Sequence, residues 1–171
     1  MRRTLLLLAA AAVLTLPAAA GAVAPSNPAP GFLVVRNASA DGGVNGSPVA
    51  TVVVRGFVLG RIAQEGAVEI YNVASPNAEK VTGVEISRRA VRYHALRGFE
   101  YSGSDFRFRA VGGVWRVVVH GAGVYLYAGG EGPVSLHGQR AFPRADGKYS
   151  FNGEPFASLP TGVVKRSLEA K

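Results

Sequence analysis

From Phe32 onward, short apolar bursts alternate with glycine-bounded breaks. The bursts cover residues 32–36, 49–55, 57–62, 67–72, 81–87, 90–96, 99–102, 105–111, 114–120, 124–128, 134–137, 148–151 and 155–159. They are rich in Val, Tyr and Phe, side chains that fit a pleated, half-buried surface. No stretch of ten residues holds a helical period. Some neighbouring bursts join into longer strands that bend at a glycine. Many short strands at spacings near ten residues predict an all-β domain, a single β-sandwich or partly closed antiparallel barrel. Faint internal echoes, 65–72 with 131–138 and 54–57 with 96–99, keep a β-solenoid as the alternative.

Two hairpins are predicted. In the first, Gly112-Gly113 supplies the positive φ of a two-residue turn between 105–111 and 114–120. That register sets Ala110 opposite Trp115, Phe108 opposite Val117 and Phe106 opposite Val119, all on one apolar face. The other face then carries Arg109 opposite Arg116, Arg107 opposite Val118 and Asp105 opposite His120. Trp115 falls on the core side. In the second hairpin, Asn152-Gly153 is the turn, and Pro155, which has no N–H to donate, marks an edge. Tyr125 and Tyr127 share one side of their strand, with Val124, Leu126 and Ala128 on the other. Alternation alone leaves open which side is core.

The first residues follow a different logic. Met1-Arg2-Arg3 is a short positive region, residues 5–16 are unbroken and apolar, and Pro17 precedes a run of small residues. This reads as a secretory signal peptide over 1–22. A Pro-rich linker follows over 23–31, then the β domain over 32–162 and a charged C-terminal tail over 163–171. No stretch of the mature chain predicts a transmembrane segment. The chain has no cysteine, which excludes disulfides, thiol catalysis and lipid attachment at a lipobox cysteine. The predicted location is therefore secreted or extracytoplasmic.

Charge adds a lead. The 171-residue chain is formally +8. Without Arg2 and Arg3 it keeps 17 basic against 11 acidic residues, a net +6. Outside the cell, a basic patch meets anionic polymer, lipid headgroups or an acidic protein. Arg107, Arg109 and Arg116 project together in the predicted hairpin and are the binding candidates. The partner they predict is an anionic envelope polymer or another protein, and no nucleic acid is expected. A like-charge pair such as Arg109 with Arg116 costs stability unless an anion lies between them.

Candidate chemistry is thin. His94, His120 and His137 show no metal-ligand spacing, and no phosphate-binding loop or nucleophile motif is present, so no metal, cofactor or catalytic residue is assigned. Gly121-Ala122-Gly123 precedes a further strand, which fails the dinucleotide-binding context. Asp105 opposite His120 is a polar pair that would orient an imidazole, and with a nearby serine would allow a small secreted hydrolase. The third reading is a structural protein whose sheet edges pair with copies of itself.

The run Gly132-Pro133-Val134-Ser135-Leu136-His137-Gly138, with Gly147-Lys148-Tyr149-Ser150-Phe151-Asn152-Gly153, Ser158-Leu159-Pro160 and the stretch 105–113, resembles segments of uncharacterised secreted all-β bacterial proteins. That group has no established activity. The resemblance implies export and β structure, and it carries over no site residues.

Overall fold

A computed structural model describes residues 30–40, 45–76, 82–138 and 147–169. The predicted signal peptide and most of the predicted linker lie outside them. Among the described residues nine strands are present: β1 (Gly31–Ala38), β2 (Ala50–Asn72), β3 (Val84–Ile86), β4 (Ala90–His94), β5 (Phe99–Gly121), β6 (Val124–Leu136), β7 (Lys148–Phe151), β8 (Ala157–Ser158) and β9 (Val164–Leu168). The protein is all-β, with no α-helix among the described residues. The strands form one antiparallel sheet in the order β3-β5-β2-β6-β1-β7-β8, with β4 also on β5 and β9 also on β6. It curls as in a sandwich or open barrel without closing into a full barrel.

The long strands β2 and β5 explain the curl. They pair along nearly their whole length, from Ala50 opposite Val119 to Ile70 opposite Phe99. Residues 66–72 of β2 then pair a second time, with residues 115–121 of β5. A ribbon meets itself in this way only if it bends sharply. The bends fall where glycines stand side by side on neighbouring strands. In one row, Gly113, Gly56, Gly130 and Gly31 are in register across β5, β2, β6 and β1. In the other, Gly66 faces both Gly103 and Gly121. Close approach forbids a side chain at the centre of the first row. A Cβ on Gly56 would strike the Gly129 carbonyl oxygen, and one on Gly130 the Arg55 carbonyl oxygen. The register also slips near both rows, between Gly56 and Phe57 and between Ile62 and Glu65. Bulges and glycine kinks together are how a sheet acquires strong curvature.

This geometry corrects the first predicted hairpin. Residues 105–111 and 114–120 do not pair with each other. They are successive parts of β5, and both pair with β2: Ala110 with Val58 and Trp115 with Val54. Gly112, at φ 73°, is the extra residue of a bulge. The apolar face survives nonetheless. Phe106, Phe108, Ala110, Trp115, Val117 and Val119 are all buried. A two-residue turn and a one-residue bulge each shift the phase of alternation by one, so the pattern fits both. Only the partner strand distinguishes them.

The inward side chains on both sides of the bends belong to one core. Val52, Val54, Val58 and Ile62 of β2 meet Leu33 and Val35 of β1 and Trp115 of β5 in a single cluster. Each such side chain contributes roughly 1.5–3 kcal/mol when fully buried. The Asn152-Gly153 turn forms, with both residues at positive φ and the Glu154 N–H donating to the Phe151 carbonyl at 2.8 Å. The Asn152 side chain also accepts the Phe32 N–H at 2.8 Å, tying the turn to β1. The predicted charged tail contributes a strand to the sheet. Its residues Val164–Leu168 form β9 on β6, anchored by the fully buried Leu168.

Replacing a glycine here carries two separate costs, steric and conformational. Gly130→Ala is expected to destabilise by at least about 2 kcal/mol, because backbone blocks the new methyl. Gly112→Ala meets nothing within 4 Å and is expected to lose only about 1 kcal/mol, the cost of its left-handed backbone. Gly162→Ala, in open space, should stay within about 0.5 kcal/mol of the parent. Urea unfolding of the three variants checks this order.

Candidate functional site: an arginine-bearing sheet face

Beyond the first glycine row, the outward side chains of β5, β2, β6 and β1 make one face. Strand side chains alternate, so residues 107, 109 and 111 share it with 57, 59 and 61, with 125 and 127, and with 32, 34 and 36. Three cross-strand rows follow from the register. The first is Val111, Phe57, Gly129 and Phe32. The second is Glu85, Arg109, Leu59, Tyr127 and Val34. The third is Arg107, Arg61 and Tyr125, and the paired Arg36 and Lys148 of β1 and β7 continue its line. Residues two apart along a strand are about 7 Å apart. The face therefore grades from apolar to cationic over about 13 Å.

The tyrosine side of β6 is the outer one: Tyr125 and Tyr127 are about two-fifths exposed, while Val124, Leu126 and Ala128 are buried. Tyr127 packs on Phe57 at 5.3 Å between ring centroids and on Phe32 at 6.3 Å. The Phe57 ring lies over Gly129, where a Cβ would collide with it.

The cationic end is under-neutralised. Arg107 stands directly opposite Arg61. Asp105 accepts hydrogen bonds from Arg61, through Nε at 3.0 Å and a terminal nitrogen at 2.6 Å, and it also pairs with Arg89. The Arg61 hydrogen bond, followed by the Arg61 charge and then those of Arg89 and Arg107, holds the Asp105 carboxyl below its ordinary pKa. One carboxylate thus stands among three guanidiniums. Arg109 reaches Glu85 at 3.6 Å, both side chains mostly exposed, and such pairs contribute at most about 1 kcal/mol. Among the described residues, no carboxylate forms an ion pair with Arg107 or Arg36.

Two hollows adjoin on this face. An open groove of about 730 Å³ is lined by Phe57, Leu59, Val111, Tyr127 and Arg109 beside the bulge glycine Gly112. A second, of about 420 Å³, is lined by Arg107, Arg109, Glu85, Ser87 and Leu59. Leu59 and Arg109 line both, so the apolar and polar hollows are neighbours.

The predicted site residues separate. Arg107 and Arg109 are on this face. Arg116 is not: it lies beyond the bulge, opposite Val53 and Tyr71, and lines a different hollow with Thr51, Ser135 and Lys165. The opposition of Arg109 and Arg116 therefore does not exist. Nor does the Asp105–His120 pair. Asp105 is taken by arginines, while His120 faces Ala67 and its Nδ1 is 3.0 Å from the Gly46 carbonyl oxygen. Both pairings depended on the hairpin that β2 displaces. Arg61, Arg36 and Lys148 join the site without having been singled out in the sequence. The signal for Arg61 was there, since Phe57, Leu59 and Arg61 are alternate residues of one burst. That Arg107 stands beside it was not deducible without the β2–β5 register.

Comparison with family models, curated proteins and solved structures gives no match, so geometry carries the functional reading.

Asp105→Asn isolates the charge of this network, because Asn also tolerates the left-handed backbone at φ 47°. The substitution is expected to lower the melting temperature at neutral pH. A depressed carboxyl pKa stabilises above the ordinary carboxylate range, and that stability is lost as pH falls through the folded-state value. The gap between the two proteins should therefore close in strong acid. A gap that stays constant with pH would show that Asp105 does not act through its charge.

Proposed function

We propose that the chain is an exported surface or envelope protein that acts by binding, holding an anionic partner on this sheet face. The signal-like N-terminus and the resemblance to secreted bacterial proteins support export. The observation that carries the binding reading is Arg107 set directly opposite Arg61, with Asp105 the one carboxylate among the described residues that forms an ion pair with Arg61 or Arg89. Like charges directly opposed cost stability in a sheet. The guanidinium fork is suited to carboxylate or phosphate, and an anion here would relieve the repulsion. The hydrolase reading loses its support, since the imidazole and carboxylate it needs are held apart by other partners.

Self-assembly remains as a second reading, supported by β4. This edge strand exposes Val91 and Tyr93, each more than half accessible. It predicts oligomers that grow with concentration, measured by light scattering.

The binding reading is tested by co-sedimentation of the chain from Val23 onward with anionic envelope polymer. Retention at low salt and release at high salt are expected, because exposed charges are screened within about 10 Å at 0.1 M salt. The double variant Arg36→Ala/Arg107→Ala should bind about tenfold more weakly, equivalent to about 1.4 kcal/mol. Arg116→Ala should bind as the parent does. Equal loss from both variants, or no retention at low salt, would overturn the assignment of this face.

A further inference from the structure

We infer that the anion held on this face is the head of a single amphiphile, an alkyl or acyl chain bearing a phosphate or carboxylate. This rests on the proposed anion-binding role and narrows its ligand class. A polyanion would use the arginines alone and leave the neighbouring groove idle. The groove's volume of about 730 Å³ lies within the range of small-molecule sites, roughly 300–1,000 Å³. Its walls are Phe57, Leu59, Val111 and the Tyr127 ring. It opens beside Gly112, where no atom lies within 4 Å of the missing Cβ.

The charge arrangement sets the polarity of the ligand. Arg109 stands on the boundary between the two hollows, and Arg107 and the Ser87 side of β3 lie beyond it. A chain laid along Phe57 and Tyr127 brings its head to Arg109 and Arg107, about one row farther along the strands. Glu85 now stands 3.6 Å from Arg109 and is about three-quarters exposed, so little packing holds it there. It acts as an internal stand-in for the ligand's anion. The apolar side chains line an open groove, along which a single chain would lie with one side to solvent.

The test is calorimetric titration of the chain from Val23 onward with butyl, octyl and dodecyl phosphate, each below its aggregation threshold. Inorganic phosphate, polyphosphate and the neutral dodecyl maltoside are the comparisons. Affinity should rise roughly two- to fourfold per added methylene until the groove is filled, with a negative heat-capacity change. Inorganic phosphate and dodecyl maltoside should both bind far more weakly than dodecyl phosphate. Tyr127→Ala, at an exposed position, should flatten the chain-length dependence, and Arg109→Ala should weaken every alkyl phosphate by a similar factor. Glu85→Gln should tighten binding, because it removes the competing carboxylate. Binding of polyphosphate with no chain-length dependence would overturn the amphiphile and leave the anion-binding face standing. No binding of any phosphate would overturn both. Weaker binding by Glu85→Gln would overturn the placement of the head.

Discussion

The whole structure depends on strands that lack side chains at the same level. Where Gly113, Gly56, Gly130 and Gly31 stand in register, backbones approach to distances that exclude any Cβ at Gly56 or Gly130. This lets three long strands turn over the core together. A single glycine would bend one strand and break its pairing with the next. A row of them bends the sheet and keeps the ladder. The second row, at Gly103, Gly66 and Gly121, lets the β2–β5 ribbon return to itself. A domain without cysteine thus encloses its core by curvature, with Trp115 and its neighbours packed inside.

The same bend divides the surface. Arginines close in sequence, such as Arg109 and Arg116, part company at the Gly112 bulge, while Arg36 and Arg107, remote in sequence, come to one face. The face gathers charge because four strands, β5, β2, β1 and β7, each bring a cation and the described residues return little carboxylate. It gathers apolar surface because Gly129, one residue from the first glycine row, leaves room for the Phe57 ring to lie over it. The groove and the cationic row are thus two consequences of one architectural device.

Much of this was legible in the sequence. Burst 148–151 is β7, bursts 49–55 and 57–62 fuse into β2 across Gly56, and Trp115 is fully buried. These follow from alternation and composition, which are local. What failed was pairing. Gly112-Gly113 satisfies the chemistry of a tight turn and of a bulge equally, and either one reproduces the apolar face. The choice rests on β2, some fifty residues away, which offers a longer partner than 114–120 would. Every error in the candidate site, from the Asp105–His120 pair to the inclusion of Arg116, descends from that one degeneracy. The β9 strand was obscured for a different reason. It is short and charged, and a single buried leucine, Leu168, anchors it.

That β5 is one bent strand paired to β2 can be tested by backbone contacts measured by nuclear magnetic resonance. Cross-strand contacts are expected from Val58 to Ala110 and Ala128, and from Val54 to Trp115. Contacts from Ala110 to Trp115 and from Phe108 to Val117 would contradict it, because they would restore the hairpin and return Arg116 to the side of Arg109.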